Sequence, residues 1–157
     1  MSVARLRERC ESGGVSFVPH GRSWLTTTIG WSAEQLSRFP RWSRWCDWRK
    51  TYWITFGRTI YHPDWVRDPL AQDPIRAEHE LVHSTRQRST IVAWWVFRYV
   101  TSWRYRFVEE AIAFLVDIRA GKPALEVCSL LRDDYGIRHT IQMMSVWFAD
   151  RIGERDT

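Results

Sequence analysis

Apolar and polar positions along the chain alternate with different periods, and the periods predict its elements. Tyr52 to Tyr61, YWITFGRTIY, is dense in β-branched and aromatic residues and stops at His62-Pro63. It predicts a strand or a hairpin, with Gly57 marking a turn or bulge. Residues 62–72, broken by two prolines, read as loop. Asp73-Pro74 then joins a capping acid to a proline at the first helical position, and predicts a helix through PIRAEHELVHSTRQRS. On that helix Ile75, His79, Val82 and His83 share a face. Two apolar stretches, Thr90 to Trp103 and Arg104 to Arg119, predict two more helices. Gly121-Lys122-Pro123 separates them from a helix near 123–134, which Gly136 ends, and Thr140 to Ile152 predicts the last one.

The first part of the chain is less periodic. Residues 1–30 carry Gly13-Gly14, Pro19 and Gly21 between short apolar pieces, and read as an irregular arm with one or two short strands. Ser32, with Gln35 three residues on, is placed to cap a short helix. Beyond it Trp42, Trp45 and Trp48 recur every three residues, with Arg38, Arg41 and Arg44 on the adjoining stripe. Helical spacing sets the indoles along one side, either against a core or as a partner surface of Trp42, Trp45, Trp48, Arg41 and Arg44. The expected class is α+β, mainly helical, as one domain over residues 1–157, with a small β-sheet or hairpin before the Asp73-Pro74 helix.

Composition narrows the function. Eleven Trp, seven Phe and five Tyr in 157 residues imply a core of few large side chains or a wide interface. The net charge of +5 permits an acidic partner without requiring one, and no nucleic-acid motif accompanies it, so nucleic acid is not the expected partner. Cys10, Cys46 and Cys128 are odd in number and far apart, which points away from a disulfide framework and towards a reducing compartment. The start, MSVARLRERC, lacks the apolar core of a signal peptide. The most apolar run, Ile91 to Val100, is too short to cross a bilayer. A cytoplasmic protein without a membrane partner is expected.

The chemistry lies in His79-Glu80-Leu81-Val82-His83, an HExxH pattern. On a helix the two imidazoles leave one face a turn apart, as zinc ligands must to converge at about 2 Å. Glu80, one residue beyond the first ligand, is placed to act as the base on a zinc-activated water. With five His and nine Glu, chance would give this pattern in about one such chain in a hundred, so it carries weight without deciding the matter. A third ligand must come from elsewhere. Arg86 and Ser89 stand where a three-histidine metzincin would have Gly and His. Glu109 and Glu110, in RYRFVEEAIAFLVDI, are the donors at hand, because a carboxylate in so apolar a helix needs a compensating charge. Glu110 lies between Phe107 and Phe114 and is expected to point inward; Glu109 shares a face with Arg106 and is expected to pair with it. Asp117 is a candidate to orient a histidine, and Tyr99, Tyr105, Arg106, His62 and His139 are candidates to stabilise an oxyanion. His62 is expected to be an exposed loop residue.

HELVH followed by the EA-x-A helix resembles the glutamate-type zincins, the small minigluzincin metallopeptidases. TFGRTIYHP, HELVHSTRQ and RYRFVEEAIAF are also similar to short peptidase-like proteins of phage and prophage genomes. The resemblance covers roughly residues 52–118. It implies a zincin-like core with Zn2+ on His79, His83 and Glu110, catalysis by Glu80, and a peptide or protein substrate lying along the strand. The alternative is a structural protein of a phage particle that keeps the scaffold, with phage structural proteins as partners and a virion-associated location. The ligating glutamate of many such families lies four residues before an aspartate, whereas the corresponding region here has Val108 and Ile112, which leaves Glu109 open as the alternative third ligand.

Overall fold

The structure, a computed structural model, describes residues 2–28 and 52–153. The partner surface expected at Trp42, Trp45, Trp48, Arg41 and Arg44, and the cap at Ser32, lie outside the described residues. The chain is α+β and mainly helical, with a small sheet. Two compact units can be described, Met1–Thr85 and Arg86–Thr157, and each is taken by itself.

Residues 1–30, expected as an irregular arm with one or two short strands, contain a helix as well as a strand. Helix α1 (Val3–Ser12) is capped by the Ser2 side chain and buries Leu6 and Cys10, four residues apart on one face. Strand β1 (Ser16–Pro19) follows. The Arg- and Glu-rich composition of α1 hides its pattern, since only two of its positions are buried and the rest face solvent. Strands β2 (Ile54–Phe56) and β3 (Thr59–His62) form the expected hairpin. Gly57 has φ +61° at the first position of the two-residue turn, where a mirror-image turn matches the strand twist and glycine alone enters without strain. Among the described residues the sheet order is β1-β3-β2, with β1 parallel and β2 antiparallel to β3.

The stretch expected as loop holds a short helix, α2 (Pro69–Gln72), capped by Asp68. Helix α3 (Pro74–Arg88) begins as its sequence dictates: the Asp73 carboxylate accepts the Arg76 N–H at 3.1 Å, and Pro74 fills the first position. Leu6, Cys10, Trp53, Ile60, Val66, Leu70, Ala77 and Leu81 form the core of this unit. Ile75, which by spacing shares a face with the histidines, is exposed; the buried positions are Ala77, His79, Glu80, Leu81, His83, Ser84 and Gln87.

The last three residues of α3 belong to the second unit. Its other helices are α4 (Val92–Thr101), α5 (Trp103–Arg119), α6 (Ala124–Asp133) and α7 (Ile141–Gly153). Phe107, Ala111 and Phe114 of α5 recur at helical spacing and pack with Val127, Cys128 and Leu131 of α6 and Met144 and Phe148 of α7. Gly121, at φ +105°, ends α5 in a Schellman turn: the Lys122 N–H donates to the Asp117 carbonyl and the Gly121 N–H to the Ile118 carbonyl. Cys10 and Cys128 are both buried and free. Among the described residues no helix is long and apolar enough to cross a membrane.

Candidate metal centre

The site is built first on the hairpin and α3. Thr55 of β2 donates its hydroxyl to the Glu80 carboxylate at 2.8 Å and lies 3.2 Å from the Glu80 carbonyl. Two residues on, at the turn, the Gly57 carbonyl accepts from Ser84, four residues along the helix, at 2.8 Å. The hairpin is thus tied to α3 at two points, Thr55 to Glu80 and Gly57 to Ser84. Glu80 is buried between these partners. Its other oxygen meets the Arg76 guanidinium at 3.2 Å, one turn back on the same helix. Both carboxylate oxygens of Glu80 are therefore oriented, one by a hydroxyl and one by an ion pair.

His79 and His83 are buried one turn apart, their ring centroids separated by 5.2 Å in an edge-to-face arrangement. Helical spacing alone explains their approach.

In the second unit the adjacent acids of α5 have different partners. Glu109 takes a two-pronged contact from Arg86, with Nε at 2.7 Å and Nη2 at 2.8 Å from its two oxygens. The expected pairing of Glu109 with Arg106 is not found. Arg106 instead donates to the Tyr99 carbonyl at 2.9 Å and the Val100 carbonyl at 3.4 Å, while Arg86 offers a planar fork matched to both carboxylate oxygens. Hydrogen bonding to Glu109 raises the Arg86 pKa; burial, then the charge of Glu109, raises that of Tyr105.

Glu110 is buried and accepts a hydrogen bond from the Tyr99 hydroxyl at Oε1. Loss of solvent, then the charge of Glu110, pushes the Tyr99 phenol well above its usual value, so at neutral pH it is a donor. Tyr99 is itself stacked on Trp95, with centroids 4.8 Å apart and planes at 17°.

His79, His83 and Glu110 each offer one ligand atom, and these atoms lie within 4.8 Å of one another. This buried group can hold a metal ion. Of the two acids left open by the sequence, Glu110 is the one grouped with the histidines, and Glu109 is held by Arg86.

Other candidates have other surroundings. His62 is buried at the end of β3, not exposed in a loop: its ring lies 5.8 Å from that of Trp53, and Nδ1 is 3.0 Å from the Pro63 carbonyl. Burial lowers its pKa. The reason is the strand, which extends through position 62 and alternates buried Ile60 and His62 with half-buried Thr59 and Tyr61. His139 is wedged edge-on against Trp103 and Phe107. Asp117 is buried on α5 two turns beyond Glu110.

Sequence reasoning passed over Thr55, Arg76 and Arg86. The Arg76–Glu80 spacing of four was a readable signal. Thr55 and Arg86 contact residues 25 and 23 positions away, and nothing local marks them. No family model, curated protein or solved structure matches the chain.

Proposed function

We propose that the chain is a zinc-dependent peptidase with a zincin-like core of the glutamate type. The observation that carries this reading is the buried group of His79, His83 and Glu110, with the Glu80 carboxylate one residue beyond the first histidine. Two imidazole nitrogens and one carboxylate oxygen are the donor set of a three-ligand catalytic zinc site, unlike the all-oxygen shells that calcium and magnesium take. Zinc bound there would supply Lewis acidity, polarising a carbonyl and making water acidic near neutral pH.

The remaining work falls to the chain itself. Glu80 accepts a proton from water as the water oxygen bonds the carbonyl carbon, and returns it to the amine as the carbon–nitrogen bond breaks. Thr55 and Arg76 hold the carboxylate in one orientation, so little is lost in aiming it. The substrate class follows from the strand beside this base. Strand β2 has the outer position in the sheet order of the described residues, and an extended peptide fits along it by main-chain hydrogen bonds.

The test begins with metal content. Purified protein should carry one zinc per chain by elemental mass spectrometry, and His79→Ala should lose it. Glu80→Gln should keep the zinc and cleave no member of a peptide library that the wild type cleaves. Wild-type protein without zinc, or undiminished cleavage by Glu80→Gln, would refute the reading.

A further inference from the structure

Glu109 and Glu110 are chemically identical neighbours, yet only one joins the histidines. Arg86 accounts for Glu109 by taking both of its oxygens. The hydroxyl of Tyr99 engages Glu110 differently, at Oε1 only. That hydroxyl has little freedom. The Tyr99 ring is stacked on Trp95, the Arg106 guanidinium lies 5.7 Å from the ring centre, and Arg106 also bonds the Tyr99 carbonyl at 2.9 Å. A donor fixed in this way competes with a cation for Oε1 and directs the cation to the other oxygen.

We propose that Tyr99 is a positioning residue that makes Glu110 a one-oxygen ligand, keeping the coordination number of the His79–His83–Glu110 site low. The inference rests on the metal-centre reading and goes beyond it to the selectivity of the site. A carboxylate that gives two oxygens suits larger, harder cations, whereas a one-oxygen carboxylate with two imidazoles suits a four-coordinate ion with one position left for a reactant. The side chain of Tyr99 thus excludes a second Glu110 oxygen from the shell without touching the ion.

The experiment uses the full chain, stripped of metal and loaded with cobalt(II), whose visible absorption is intense in four-coordinate sites and weak in five- or six-coordinate ones. Wild-type protein should give the intense spectrum. Tyr99→Phe, which removes one oxygen and keeps the ring on Trp95, should give the weak one, and should bind zinc roughly ten- to a hundredfold less tightly in a chelator competition. An unchanged cobalt spectrum in Tyr99→Phe overturns the inference whatever happens to affinity, because loss of packing alone would not change coordination number. Wild-type protein that takes up neither cobalt nor zinc overturns the metal-centre reading and the inference together. Should Tyr99→Phe fail to fold, ring-carbon-labelled tyrosine in the wild type decides. The Tyr99 Cζ resonance should move when zinc is added, and a resonance that stays in place overturns the inference.

Discussion

Replacing Arg86 by Met tests whether the contact that organises α5 has the strength its geometry implies. Arg86→Met keeps the length and apolar stem of the side chain and removes the fork that holds both oxygens of Glu109 at 2.7 and 2.8 Å. Glu109 is 1% exposed, so its carboxylate would keep its burial and lose its counter-charge. Breaking a buried pair by deleting one partner costs about 3–5 kcal/mol. The Arg86 side chain is 35% exposed, which lets water screen the pair, so the low end applies, about 3 kcal/mol. In a chain of this size that corresponds to a fall of about 6–12 °C in Tm. The assay is urea unfolding followed by far-UV circular dichroism, with thermal melts alongside. The double variant Arg86→Met with Glu109→Met removes both charges at once and should recover at least half of the loss, since a buried pair replaced by apolar side chains is often neutral. A single variant within about 1 kcal/mol of wild type, or a double variant no more stable than the single, would refute the argument, because either result means that Glu109 is solvated without Arg86.

Three further outcomes follow from the same structure. Thr55→Val removes the hydroxyl that holds Glu80 while keeping a β-branched strand residue, so peptidase kcat should fall about tenfold or more with KM and zinc content unchanged, and Thr55→Ser should restore it; steady-state kinetics of the three proteins check this. Phe148→Ala empties the middle of the second unit's core, where Phe148 is 0% exposed, and should cost about 3–5 kcal/mol in the same urea assay. His62, whose pKa burial lowers from 6.5, takes up a proton in the unfolded chain before it does so in the folded one, so its contribution to stability is intact above pH 6.5 and is lost as pH falls below that value. The urea midpoint of wild type should therefore drop more between pH 7.5 and 5 than that of His62→Gln, and equal drops would contradict the assignment.

Much of the fold was legible because it is local. The start of α3 is written in Asp73-Pro74, the hairpin in the β-rich run with Gly57 at its turn, and the last three helices in apolar spacing punctuated by Gly121 and Gly136. The two histidines of the candidate site were legible for the same reason: four residues on a helix is a fixed distance, and it holds whatever else the chain does. Where local signals were weak, the reading missed. Helix α1 buries only Leu6 and Cys10, too few positions to stand out among its charges, and strand β3 takes in His62, the residue before the proline, where loop was expected to begin.

What tertiary structure alone decided was which partner each polar group meets. Glu109 and Glu110 differ by one position and about 100° around a helix; sequence favoured Glu110 as the inward acid and an arginine partner for Glu109, but could not say that the arginine would be Arg86. Arg86 is 23 residues from Glu109, and Thr55 is 25 from Glu80. Contacts across such separations depend on how elements pack, because a side chain's spacing along its own helix fixes its direction but not what lies opposite.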